Sequence, residues 1–227
     1  IGYAEENEKW VEKRGNFPCY KDLPRLSVEE IIEKSDAILV ECDVWNLTKV
    51  AKMCVEAGKH VHIDKPASGT LAEFEELLNI AKEKNLTVQM GYMYRYNFAI
   101  QKLMDMINSG ELGEIYQVYV SFRSHRSIPG LGGAFTDKSI AGGGVTIDWG
   151  VHFFDIVMYC CGDPKVKTVS AETFSKLGNP MEEYVYTDMW AGPPKYDGVY
   201  SVEEGVTGIV RTEGPVINFN GAWAQNI

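Results

Sequence analysis

Missing from the 227 residues is any apolar run near the ~20 residues that a membrane-crossing helix requires. Basic residues are scarce: 22 Lys and Arg stand against 32 Asp and Glu, a formal net charge of −10. A surface that acidic repels phosphate backbones and anionic headgroups, so neither nucleic acid nor a membrane is an expected partner. Cysteines number only five (Cys19, Cys42, Cys54, Cys160, Cys161), and no CxxC pair occurs among them. A disulfide framework or a zinc site would show paired spacing. Reduced, mostly buried thiols in a cytoplasmic protein are the expectation. No GxSxG, HExxH or P-loop motif occurs. His60 and His62 alternate onto one strand face without a third ligand, so no metal is expected. No Lys/Arg-plus-apolar signal region opens the sequence, and export is not expected.

What is present is ordinary globular composition, 45% hydrophobic and 11% aromatic, enough for one large domain or two small ones. Over the first ninety residues strand and helix patterns alternate. Ala37-Ile38-Leu39-Val40 is a short apolar run of the kind buried in a parallel sheet. Leu47, Val50, Ala51, Cys54 and Val55 recur at helical spacing, and Gly58 stands where a helix-ending glycine belongs. Val61-His62-Ile63 follows as a strand. Thr70 and Glu73 then make a capping box ahead of an apolar stripe from Leu71 to Ala81. Thr87 to Met90 is a third strand. This order predicts βαβ units and a doubly wound parallel sheet. Ile1 to Glu5 resembles a further strand ending in a carboxylate, with a helix from Asn7 to Arg14. A GxGxxG turn would precede such an acid, so the dinucleotide-binding domain is expected to be only partly contained in the chain.

After Gly91 the texture changes. Phe98 to Ile107 is amphipathic, Ile115 to Phe122 alternates, and Val151 to Cys161 is strongly apolar. Arg123 to Gly144 is too long and Gly-rich for a simple connector and reads as a functional loop. Strand-like runs at Val166–Thr173, Val206–Thr212 and Val216–Asn220 complete an α+β domain with a large, open, mostly antiparallel sheet. The expected organisation is thus α/β, a partial Rossmann domain over 1–97 and a substrate-binding α+β domain over 98–227.

Three features could carry chemistry. Asp64-Lys65-Pro66 directly follows a parallel strand, and ligands of doubly wound sheets bind at the carboxyl ends of strands. Asp148 and His152 are spaced i, i+4 behind the triplet Gly142-Gly143-Gly144, where a backbone or a ligand could approach closely. A carboxylate near an imidazole suits a proton shuttle, although such pairs also occur as plain surface charges. Arg123-Ser124-His125-Arg126 ends a strand and could hydrogen-bond a hydroxyl-rich or anionic substrate, or simply be a solvated loop. Gly91-Tyr92-Met93-Tyr94-Arg95-Tyr96-Asn97 is aromatic enough for a pocket wall, with core packing the default.

Taken together, the motifs resemble a known family. Ala57 to Pro66 resembles the "AGKHV-x-x-EKP" signature of the Gfo/Idh/MocA oxidoreductases, and Gly91 to Asn97 their "GF-x-x-RF" segment. Gly142 to Asp155 is similar to their "GGG…D-x-G-x-H-x-x-D" helix, and Val202-Glu203-Glu204 and Ala222-Trp223-Ala224 to the late "VED" and "SWA" motifs. The resemblance implies a Rossmann domain that binds NAD(P) and a second domain whose open sheet forms the pocket for a sugar, polyol or cyclitol and often the oligomer interface. It implies Lys65, Asp148 and His152 as the catalytic residues. Glu5, Asp64, Lys65, Pro66 and Arg95 would contact the cofactor, and Arg123, His125, Arg126, Asp148 and His152 the substrate. Glu5 would accept ribose hydroxyls and disfavour a 2′-phosphate, so NAD is expected over NADP. Asp64 replaces the usual glutamate, and Glu41-Cys42-Asp43-Val44 stands where the family has a Thr-Pro-Asn stretch. Two other activities share this fold: NAD-assisted glycoside cleavage, and sugar- or nucleotide-sensing without catalysis. Retention of the Lys/Asp/His trio favours an enzyme.

Overall fold

Helix starts follow the side chains able to cap them. In the computed structural model, which describes residues 1–67, 70–187 and 190–226, Asn7 accepts the Lys9 amide ahead of α1 (Glu8–Arg14). Ser27 and Glu30 form a reciprocal capping box at α2 (Val28–Lys34), a helix whose Ser-x-x-Glu signal is present in the sequence but not among the expectations above. Next come β1 (Ala37–Val40), α3 (Leu47–Glu56), β2 (His60–Ile63), α4 (Leu71–Glu83) and β3 (Val88–Met90). The Thr70/Glu73 box caps α4, and Gly58, with φ of +80°, takes the left-handed conformation just past α3.

The strands pair in parallel in the order β1-β2-β3, with Ile38 opposite Val61 and Val40 opposite Ile63. Those four side chains are buried with Leu47, Ala51, Cys54 and Val55 of α3 and Leu77 and Ala81 of α4. This unit runs from Ile1 to Gly91. Two expectations change. β1 is not buried on both faces: alternate residues point opposite ways, and Leu39 is 63% exposed while Ile38 and Val40 are covered. Ile1 to Glu5 forms one isolated parallel bridge, Tyr3 with Arg25, instead of a strand.

Burial pushes the Cys54 thiol up to about 11. The folded state therefore favours the neutral thiol. That contribution is whole below the unfolded value near ~8.5 and is lost as pH rises from there through about 11. We expect the urea midpoint to fall over that alkaline range, and to fall less in Cys54→Ala. Equal falls in both proteins would assign the loss to other groups.

From Tyr92 onward a second unit follows. A 3₁₀ turn (Met93–Tyr96) leads into α5 (Phe98–Asn108) and β4 (Gln117–Arg123). Then come α6 (Lys138–Ala141), a π-helical segment (Thr146–Gly150) running into α7 (Val151–Cys160), β5 (Val166–Phe174), β6 (Gly205–Thr212) and β7 (Val216–Ala222). The compact unit starts at Tyr92, and Arg95 ties the 3₁₀ turn to Asp155 of α7 within it.

The sheet order is β4-β7-β6-β5, antiparallel at β5/β6 and β6/β7 and parallel at β4/β7. Its inner face brings Phe122, Val206, Val210, Ile217 and Phe219 against Val157 of α7. Phe153 stacks on Phe122 at 5.0 Å, and Phe154 meets Phe219 edge-on at 4.9 Å. The long segment after β4 is not a free loop. Ile128 and Leu131 are fully buried in this core, and the Ser127 amide donates to the Trp223 carbonyl at 2.8 Å. Among the described residues no helix is long and apolar enough to cross a membrane.

Candidate functional site

The glycine triplet admits backbone. Gly142, at φ +79°, ends α6 in the left-handed conformation. At Gly144 a Cβ would lie 2.8 Å from the Glu203 carbonyl carbon and closer still to its oxygen, so only glycine lets the two chains touch. The Val145 amide donates to the Glu203 carbonyl at 3.0 Å. The Gly144 and Thr146 amides each donate to the Glu203 carboxylate at 3.1 Å. Three amides that would open this helical stretch without partners are thereby satisfied by one residue. The chain then enters the wide π turn Thr146–Gly150, a geometry often found at functional sites. This turn carries Asp148 and delivers the chain to His152 in the first turn of α7.

Asp148 is fixed from the sheet, its Oδ2 accepting the Trp223 indole N–H at 3.1 Å. His152 is 8% exposed. It lines a cleft of about 310 Å³ with Tyr94, Ser121, Phe122, Arg123, Trp149 and Phe153. The Tyr94 ring stands edge-on to the imidazole at 5.1 Å and Tyr92 at 6.4 Å. One side of the cleft is β4, the edge strand. The Ser124 amide donates to Ala222 and the Tyr116 carbonyl accepts from Val216, so even-numbered residues of β4 face β7. In a parallel ladder the backbone groups of Ser121 and Arg123 then point outward along the free edge. An imidazole against aromatic walls and a polar edge can exchange a proton with a hydroxyl on a ring whose C–H face lies against the aromatics.

The structure separates the residues expected to touch substrate. Arg123 lines the cleft, with its Nε donating to Ser121 Oγ at 2.8 Å and Ser121 in turn to Asn220 Oδ1 at 2.8 Å. His125 and Arg126 are turned toward the 225–226 stretch: His125 Nδ1 is 3.2 Å from the Gln225 carbonyl, and Arg126 donates to Asn226 Oδ1 at 2.8 Å. Arg95, expected at the cofactor, makes a two-point ion pair with the nearly buried Asp155, at 2.8 and 2.5 Å. Its guanidinium also lies 4.7 Å from the Tyr159 ring centre. The hydrogen bonds to Asp155 hold its pKa above the ordinary arginine value. Burial, with the Asp155 charge adding to it, pushes the neighbouring Tyr92 phenol up.

In the first unit Asp64, Lys65 and Pro66 are half-buried at the carboxyl end of β2. The Asp64 amide donates to the Val40 carbonyl at 3.0 Å and the Gly91 amide to the Ile63 carbonyl at 2.8 Å. A Cβ at Gly91 would press within 3.1 Å of Asp64 Oδ1. The carboxyl ends of the three strands are thereby held side by side, and the absence of a side chain at Gly91 lets Asp64 pack against the end of β3. Glu5 lines a separate cleft of about 370 Å³ with Arg25 and Ser27 to Glu30. Its carboxylate accepts the Asn7 amide at 3.0 Å, and its carbonyl accepts Arg25 Nε at 2.8 Å.

Sequence reasoning gave no role to the acids before β6. Besides Glu203, Glu204 is 2% exposed and accepts the Lys176, Leu177 and Gly178 amides and the Tyr200 hydroxyl. Burial and that carboxylate push the Tyr200 phenol well above its ordinary range. The signal available was Val202-Glu203-Glu204 itself, two adjacent acids behind a valine at the head of a strand.

Comparison with known proteins agrees with this architecture. Residues 3–92 match the profile described as "Oxidoreductase family, NAD-binding Rossmann fold", and residues 100–226 that of the "GFO/IDH/MocA C-terminal domain". A D-glucoside 3-dehydrogenase of Escherichia coli is 31% identical over 77% of this chain and 48% of its own length. A myo-inositol 2-dehydrogenase of Thermotoga maritima is 27% identical over 71% of this chain and 45% of its own. Among solved structures, a levoglucosan dehydrogenase complex with NADH and levoglucosan superposes with a TM-score of 0.80 at 21% identity, over 98% of this chain and 57% of that one. The chain spans about half the length of the curated relatives it matches. With both family profiles matched in order, the chain belongs to the GFO/IDH/MocA oxidoreductase family.

Proposed function

We propose that the protein containing this chain is an NAD-dependent oxidoreductase that transfers hydride between nicotinamide and a hydroxyl or keto carbon of a sugar, polyol or cyclitol. The observation that carries this reading is His152, nearly buried at an aromatic cleft, on a segment whose amides and carboxylate are all held by the sheet domain. The printed names of the relatives, dehydrogenases of a glucoside, an inositol and levoglucosan, support a polyhydroxylated ring as substrate class. His152 takes or returns the hydroxyl proton. Lys65 polarises the reacting oxygen and stabilises its developing charge. Asp148 orients His152 and grips a neighbouring hydroxyl, and Arg123 offers donors from the cleft rim.

Asp64, Lys65 and Pro66 suit the nicotinamide end of the cofactor, because they directly follow β2 at the carboxyl end, where open parallel sheets bind ligands. Nicotinamide supplies the hydride acceptor or donor. Glu5 accepts ribose hydroxyls, and its charge opposes a 2′-phosphate, which favours NAD over NADP. Five unpaired cysteines suit a reducing, cytoplasmic setting. The outer face of the four-stranded sheet, where Tyr119 is 76% exposed, is the surface through which copies would pair into an oligomer.

The test is an NADH-absorbance screen of the full-length protein against sugars, inositols and keto-sugars. Net NADH change with one ring class supports the reading. Glycoside cleavage without net NADH change would turn it to the NAD-assisted glycosidase, and binding without any turnover to a sensor. For the active substrate, Lys65→Met should lower kcat by a factor on the order of 10² with the fold intact, the scale of one oxyanion-stabilising donor. Near-normal turnover in the folded variant would remove Lys65 from the mechanism.

A further inference from the structure

Trp223 is fully buried at the end of β7, and its backbone is fixed on both sides. Its amide donates to the Glu204 carbonyl at 2.8 Å, and its carbonyl accepts the Ser127 amide at 2.8 Å. A buried indole N–H needs an acceptor. The one it meets is the Asp148 carboxylate, at 3.1 Å, and a bond to a charged acceptor is among the stronger hydrogen bonds available to an indole. Asp148 rides on the π-helical segment Thr146–Gly150, its own amide held by the Gly144 carbonyl at 3.0 Å, so the indole bond fixes the carboxylate end of a residue whose backbone is already fixed.

We propose that Trp223 is a positioning residue: its indole N–H holds the Asp148 carboxylate in its working orientation, and through Asp148 it sets the alignment of His152. The inference rests on the catalytic reading of Asp148 and His152 given above. The opposing view makes Trp223 a core residue only, with any large apolar ring sufficient. Phenylalanine separates the two, since Trp223→Phe keeps an aromatic ring in the core and removes the donor.

The experiment is a double-mutant cycle in the full-length protein with Trp223→Phe, Asp148→Ala and the pair, reading kcat, KM and the urea midpoint. Trp223→Phe should lower kcat, read well below the midpoint, by on the order of 10-fold to 10²-fold, as expected of a misaligned catalytic group, with KM little changed, while the midpoint falls because the smaller ring leaves core volume unfilled. In the Asp148→Ala background the same change should cost less than about threefold, because residues acting through one contact are not additive. Should Asp148→Ala fail to fold, Asp148→Asn supplies the cycle, a neutral amide weakening the charge-assisted bond. In parallel, the Trp223 indole ¹⁵N–¹H signal, identified by its loss in Trp223→Phe, should shift upfield and exchange faster in the Asp148 variant; this arm needs no substrate. Additive losses, or an indole signal indifferent to residue 148, overturn the proposal while leaving the enzymatic reading standing. A wild type that turns over nothing in the screen overturns the enzymatic reading and the alignment role together, and the indole signal then decides only the anchoring contact.

Discussion

His152→Ala lowers kcat/KM for the active substrate by on the order of 10² to 10⁴, the range that one positioned general acid or base contributes. The expectation follows from where the imidazole sits. It is 8% exposed, edge-on to Tyr94, and part of the wall of the 310 Å³ cleft, so a substrate hydroxyl seated in that cleft would meet the imidazole at its wall. Cofactor affinity is the control. Titrating NADH by fluorescence should give the same Kd for wild type and variant within about twofold, since no cofactor contact is assigned to His152 and such a shift is under ~0.5 kcal/mol. Loss of NADH binding together with turnover would mean that the substitution disturbs more than proton transfer. Unchanged kcat/KM with binding intact would remove His152 from the chemistry and direct attention to Lys65 as the base.

How much of this was legible beforehand differs between fold and site. The parallel strands could be read because each is a short apolar run closed by a turn signal, and α4 because Thr70 and Glu73 announce its start. The alternation that exposes Leu39 was hidden inside a four-residue apolar run, where periodicity cannot show which face is covered. Lys65 and His152 stood out because their residue types carry chemistry at positions that fit it. Glu203 and Trp223 stood out only as parts of the "VED"- and "SWA"-like motifs and without roles, since a glutamate before a strand and a tryptophan after one look the same whether or not they hold a distant segment. Their roles come from tertiary contacts across 59 and 75 residues, which no local spacing records. Arg95 shows the converse. The family resemblance offered it to the cofactor, and its ion pair with Asp155, 60 residues later, is a tertiary contact that the motif did not record.

The same distinction governs the second large effect, Gly144→Ala. The position looks permissive in sequence, one of three glycines in a row. The structure makes it the tightest contact of the segment that carries Asp148 and His152. An added methyl meets the oxygen, carbon and nitrogen of Glu203, all backbone, and no rotamer change can relieve it. Either the Glu203 strand entry or the 144–146 turn must move. Any movement large enough breaks the bond from the Val145 amide and loosens the two from Gly144 and Thr146 to the Glu203 carboxylate. Overpacking costs ~1–3 kcal/mol, and a lost helix-start cap adds about 1 kcal/mol. At roughly 2–4 °C per kcal/mol for a folding unit of about 150–250 residues, the thermal midpoint of the unit should fall by about 5–15 °C. Gly143→Ala is the comparison, because its methyl would press on side-chain atoms alone, Ile147 Cγ1 at 2.6 Å and Glu203 Oε1 at an ordinary 3.9 Å, and the drop should be smaller. Turnover of Gly144→Ala, measured well below its midpoint, should fall as well, since the segment carrying Asp148 and His152 has lost its anchor. A Gly144→Ala protein melting within about 2 °C of wild type, a change under ~1 kcal/mol, would show that Glu203 yields freely and does not set the position of this segment.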